Sequence, residues 1–168
     1  MKSLTKENWL EADPSILIFS KLNLRTGQSS SISQEEWAER ILRHKLSKDV
    51  PDEIVALFEV ATGAMLYGYF FTPLYTLGLQ QVFRVAEAAI TAKCERVVMS
   101  AKQKKTFEGK IDGLIAVGIL TTNEGKQWHA LRGMRNQSSH PEQQEIWFPQ
   151  GVLRILAGLV GDINRLFS

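Results

Sequence analysis

Residues 74–101 read LYTLGLQQVFRVAEAAITAKCERVVMSA, and their apolar positions Leu79, Val82, Phe83, Ala86, Ile90, Cys94, Val97 and Ala101 recur every three or four residues. That period predicts one long helix with a buried face. Gln80, Arg84, Glu87, Thr91 and Glu95 fall on its outer side. Lys102, Lys104 and Lys105 close the stretch, where cations meet the negative end of the helix dipole.

The same helical spacing extends in both directions. Ser33 followed by Glu36 is a capping box, and Trp37, Ala38, Ile41, Leu42 and Leu46 then make an apolar stripe that predicts a helix over 34–47. After Pro51, the positions Ile54, Leu57, Phe58, Ala61, Met65 and Gly68 predict another, ending before Pro73 because a residue ahead of proline avoids helical angles. Tyr67, Tyr69, Phe70, Phe71 and Tyr75 crowd that junction and are read as packing rather than as base-stacking platforms. Thr106 caps a helix whose inner face is Phe107, Ile111, Leu114 and Ile115, and Gly118 ends it. Thr121 and Glu124 form a second capping box before Trp128, Leu131 and Met134, and a last stripe runs from Val152 to Phe167. No alternating run is long enough for a sheet, and no repeat or low-complexity tract occurs. The expected fold is all-α, a bundle of five or six helices over residues 33–168, preceded by an irregular N-terminal arm, 1–32.

Composition bounds the function. A chain of 168 residues suits one domain. Hydrophobic content of 44% and charged content of 23% are those of a globular protein. A net charge of +2 is too mild to imply nucleic-acid binding by itself. The single Cys94 excludes an internal disulfide and, lying in an apolar pattern, reads as a buried, inert thiol; a reducing, cytoplasmic setting is expected. The first residues lack an unbroken apolar stretch of signal-peptide length. Residues 60–83 carry no Asp, Glu, Lys or Arg, but Pro73, Gln80 and Gln81 interrupt them, so a buried helical pair is expected in place of a membrane span. Three scattered histidines and one cysteine give no zinc spacing, and no glycine-rich phosphate loop is present; neither metal nor cofactor is expected.

The chemistry-bearing stretch is Ala130-Leu131-Arg132-Gly133-Met134-Arg135-Asn136-Gln137-Ser138-Ser139-His140. Arg135 stands seven residues after Trp128 and so lies on or beside the apolar face of its helix. A partly buried guanidinium needs a partner, and the candidates are a carboxylate such as Glu87 or a bound phosphate. His140 precedes Pro141, which pushes it out of helical geometry to a place just past the helix end. Arginine is a permanent, forked phosphate ligand, and histidine moves protons near neutral pH. His129 lies one turn before Gly133 and is read as structural. Lys93, Arg96, Lys102, Lys104, Lys105 and Lys110 form a local basic excess over Glu95 and Glu108 that suits an RNA backbone but more often is a solvated face.

An arginine, a following asparagine and a histidine after four intervening residues, placed before the final helix of an all-helical chain, resemble the HEPN domain superfamily. Arg135, Asn136 and His140 match that pattern, the helix with Phe83-Arg84-Val85-Ala86-Glu87-Ala88-Ala89-Ile90 and the segment from Thr106 to Ile111 extend the likeness, and it covers about residues 52–167. The resemblance implies a HEPN-like bundle and, as in many members, a metal-independent endoribonuclease whose site is assembled across a homodimer. Two copies would supply His140 twice, as base and acid, with Arg135 stabilising phosphate charge and Asn136, Ser139 and Glu87 on the substrate side. It also allows a non-catalytic module binding nucleotide, RNA or an antitoxin-like or defence-related protein partner; against the resemblance stands a plain helical interaction protein, in which Arg135 pairs with a core carboxylate, Asn136 caps helix-end carbonyls and His140 is a surface loop residue. Glu142 stands where some members carry an aromatic residue used in toxin regulation, so that device is not expected here.

Overall fold

The structure, a computed structural model, describes residues 2–17, 20–22, 29–138 and 147–168. The stretch around Val82 is helical as its period predicts: α4 spans Leu74–Glu95. Around it lie α1 (Pro14–Leu17), α2 (Gln34–Leu42), α3 (Asp52–Tyr67), α5 (Ala101–Lys104), α6 (Phe107–Ala116), α7 (Thr122–Ser138) and α8 (Pro149–Phe167). A ribbon of two short antiparallel strands, β1 (Ser20–Leu22) and β2 (Ser29–Ser31), pairs Ser20 with Ser31 and Leu22 with Ser29. The chain is thus mostly helical, with eight helices among the described residues instead of five or six; α1 and α5 are the additional single turns of four residues.

α4 is the axis of the fold. It packs against α3, α6, α7 and α8. Leu79, Val82, Phe83, Val85, Ala86, Ala89, Ile90 and Cys94 are all buried on it, so its core-facing surface is wider than a single stripe. Each of the Leu, Val, Ile and Phe side chains among them contributes about 1.5–3 kcal/mol relative to exposure. α3 and α4 form a hairpin whose helices approach closely at Gly78, where a Cβ would meet the Met65 side chain at 2.6 Å and the Ala61 carbonyl oxygen at 3.2 Å. The Tyr67–Leu74 interruption divides the uncharged stretch, and among the described residues no helix is long and apolar enough to cross a membrane. At the other end Lys93 and Arg96 lie 5.7 and 5.5 Å from the Phe167 ring centroid, so α4 and α8 finish together.

Two helices end earlier than their stripes predict. α2 stops at Leu42, not at residue 47. The side chain of Asn164 on α8 accepts from the Ser47 amide (2.7 Å) and donates to the Lys45 carbonyl (3.1 Å), holding this segment as loop through a contact more than a hundred residues away. α4 stops at Glu95, and Ser100 opens a new turn by exchanging hydrogen bonds with Gln103. Lys102 and Lys104 therefore sit on α5 and do not close α4. The other caps form as read: Ser33 accepts from the Glu36 amide, Thr106 from the Gly109 amide, and Thr121 and Glu124 cap each other. Gly118 takes φ 75°, the left-handed value that terminates α6. Cys94 is buried as expected, and that burial pushes its thiol up against the opposing pull of Lys110 and Lys104.

The N-terminal segment is anchored to the bundle by Asp13. This fully buried carboxylate accepts from the Ser15 amide (2.9 Å), the Thr72 amide (3.0 Å) and the Thr72 hydroxyl (3.1 Å). Burial, the largest influence, pushes the carboxyl up, but the hydrogen bonds from Thr72 and Ser15 together outweigh it and hold Asp13 below the ordinary carboxylate value of 3.8. A depressed folded-state pKa contributes stability that is present above the unfolded value and is lost as pH falls through the folded one. Asp13→Asn is therefore expected to lower stability at neutral pH by about 1–3 kcal/mol. Below about pH 4 its urea midpoint should fall less steeply than that of wild type, converging on it; parallel midpoints at every pH would refute the tether.

Candidate functional site

α7 carries the arginine. Its sequence is polar, with Gly125 and Trp128 buried and Leu131 and Met134 half-buried against the core. Polar pairs supplement this packing. His129 Nε2 lies 3.0 Å from Asp112 Oδ1 and Arg132 Nη2 donates to Glu108 at 3.2 Å, both on α6. Arg165 on α8 donates to Glu124 at 3.2 Å. Three residues after Arg132, Arg135 turns instead towards α4 and donates from Nη2 to Glu87 Oε2 at 3.0 Å.

The carboxylate that the sequence offers Arg135 is thus in contact with it. Arg135 Nη1 also donates to the side-chain oxygen of Asn136 at 3.4 Å, and the Ser138 hydroxyl donates to the Arg135 carbonyl at 2.9 Å. Arg135, Asn136 and Glu87 therefore come together, whereas Ser139 and His140 lie outside the described residues. The side chains of Arg135 and Glu87 are 43% and 34% exposed. A pair so open to water contributes only about 0–1 kcal/mol. Glu87 therefore orients the guanidinium without binding it strongly.

Arg135 and Ser138 wall a groove of about 810 Å³. Its other side comes from Val60 and Ala64 on α3, and its length follows Leu77, Gln80, Gln81 and Arg84 on α4. This volume lies within the range of small-molecule sites. The side chains of Gln80 and Arg84 carry no ion pair or hydrogen bond among the described residues, while the Gln81 side-chain amide donates to the Leu57 carbonyl at 3.3 Å. By sequence Gln80 and Arg84 fall on the outer face of α4 without a role. The available signal was their spacing: with Glu87 they continue one row along the helix, and Glu87 was already paired in prospect with Arg135.

The other candidates resolve into packing or surface. Tyr75 is fully buried, its ring edge-on to Trp37 at 5.3 Å, and Tyr69 is buried with its hydroxyl donating to the Ile32 carbonyl; Tyr67 is exposed. In the basic excess, Lys93 and Arg96 cover Phe167 and Lys110 Nζ donates to Thr91 Oγ1 at 2.8 Å, so these cations also serve the fold. Among the described residues no three His, Cys, Asp or Glu side chains gather into a metal-holding group. Compared with known protein families, curated proteins and solved structures, the chain gives no match.

Proposed function

We propose that the protein is a HEPN-like, metal-independent endoribonuclease acting as a homodimer through Arg135 and His140. One observation carries this reading: a guanidinium set by Glu87 at the wall of a groove, five residues ahead of the histidine. In the proposed reaction the RNA 2′-oxygen attacks the adjacent phosphorus while His140 of one protomer takes the 2′-hydroxyl proton. The P–O5′ bond breaks, and the second protomer's His140 protonates the leaving 5′-oxygen. The products are a 2′,3′-cyclic phosphate and a 5′-hydroxyl, with no external co-reactant. Arg135 answers the charge that accumulates on the phosphorane oxygens.

The Glu87 contact also favours a second reading. A carboxylate that already answers the arginine charge suits a non-catalytic module in which Arg135 binds ligand or simply ties α7 to α4. Incubation of purified protein with labelled single-stranded RNA in EDTA separates the two. Cleavage leaving cyclic phosphate ends supports the nuclease; intact RNA across varied sequences, at concentrations where the protein binds it, supports the module.

A further inference from the structure

We propose that the groove beside Arg135 is a nucleotide subsite in which Arg84 takes a backbone phosphate and Gln80 reads the base. The inference rests on the reading of Arg135 as RNA-facing and adds to it the residues that would hold the neighbouring nucleotide. The groove has two unlike poles. Leu77, 56% exposed, presents an apolar side chain at one end of the α4 row, and Val60, 61% exposed, and Ala64 face that row from α3. At the other stand the guanidiniums of Arg84 and Arg135, the latter donating to Glu87.

The row from Leu77 to Arg84 spans seven residues of helix, about 10 Å. A planar ring on the apolar end and a phosphate at the cationic end fit that separation. Gln80 lies between them with an amide able both to donate and to accept, which suits the edge of an unpaired base. Its neighbour Gln81 is spent on the Leu57 carbonyl, so the two glutamines are not equivalent. A second copy of the chain is the competing occupant, because Val60 and Leu77 are apolar. The charge favours the nucleotide: the Arg84 guanidinium has no carboxylate partner among the described residues, and a forked cation of this kind suits a phosphate.

The test uses full-length protein and a single-stranded 2′-O-methyl oligonucleotide, which binds but lacks the attacking hydroxyl, with anisotropy as readout. Arg84→Ala is expected to weaken binding about tenfold or more and to lower the slope of log K against log salt by about 0.7, the loss of one phosphate contact. Gln80→Ala should leave the salt slope alone and narrow the difference in affinity among homopolymers. If wild type cleaves RNA and neither variant changes oligonucleotide affinity or KM, the subsite is overturned while the nuclease reading stands. If wild type binds through Arg84 but cleaves nothing, the subsite holds and the nuclease reading fails. Should Leu77→Glu convert a dimer into monomers while Arg84→Ala leaves RNA affinity unchanged, the groove belongs to a second copy and the proposal is overturned.

Discussion

Changing His140 to alanine is expected to lower cleavage of single-stranded RNA by about 10²–10⁴-fold, with the circular dichroism and oligomeric state unchanged. The size follows from the chemistry. A 2′-hydroxyl is a very weak acid and a 5′-alkoxide a poor leaving group, and one histidine from each protomer would serve both. Arg135→Ala should cost about 10²–10³-fold in kcat, the range for one charge-stabilising donor removed from a transition state. The dimer makes a sharper claim. When His140→Ala protein is mixed in excess with wild type and allowed to exchange, each mixed dimer holds one histidine per composite site and should be inactive. Activity then falls faster than the wild-type fraction; a strictly proportional fall would show that one chain suffices, and an unchanged rate in the single variant would remove His140 from the reaction.

How far the sequence anticipated this site depended on whether the determinants were local. The start of α7 was legible because Thr121 and Glu124 carry their own capping instructions within four residues. Glu87 was legible as a candidate because an arginine beside an apolar face demands a carboxylate or an anion. The break after Glu95 had a local signal too, Ser100 followed by Gln103, but it was outweighed by an apolar period that ran on through Val97 to Ala101. The early end of α2 had none, since it depends on Asn164 reaching back from α8. The ribbon of β1 and β2 showed no alternation, its second strand being three serines. Arg84 and Gln80 were visible as polar residues on an outer face. That this face borders a groove depends on how α3 and α7 lean against α4, which no spacing within α4 encodes.

Trp37→Ala is expected to be the most destabilising of these substitutions, costing about 3–5 kcal/mol. Against a total of about 5–15 kcal/mol for a folded domain, that is a large fraction. It should lower Tm by on the order of 10 °C for a chain of this size. The indole is almost wholly buried between α2 and α3 and meets the Tyr75 ring edge-on. It also has a polar duty. The Tyr69 amide bonds to the Leu66 carbonyl, leaving the Met65 carbonyl near the end of α3 to accept from Trp37 Nε1 at 3.1 Å. Trp37→Phe keeps most of the apolar bulk and removes the donor, so it isolates the unsatisfied carbonyl, about 1–3 kcal/mol. The groove residues Val60 and Ala64 lie on the helix that Trp37 braces through the Met65 carbonyl, but Trp37 itself does not line the groove. Trp37→Phe should therefore lower the urea midpoint while leaving oligonucleotide affinity as in wild type. An alanine variant as stable as wild type would mean that α2 does not dock on α3 through this side chain. A phenylalanine variant that lost affinity in proportion to its stability would instead tie the groove's shape to the Met65 carbonyl.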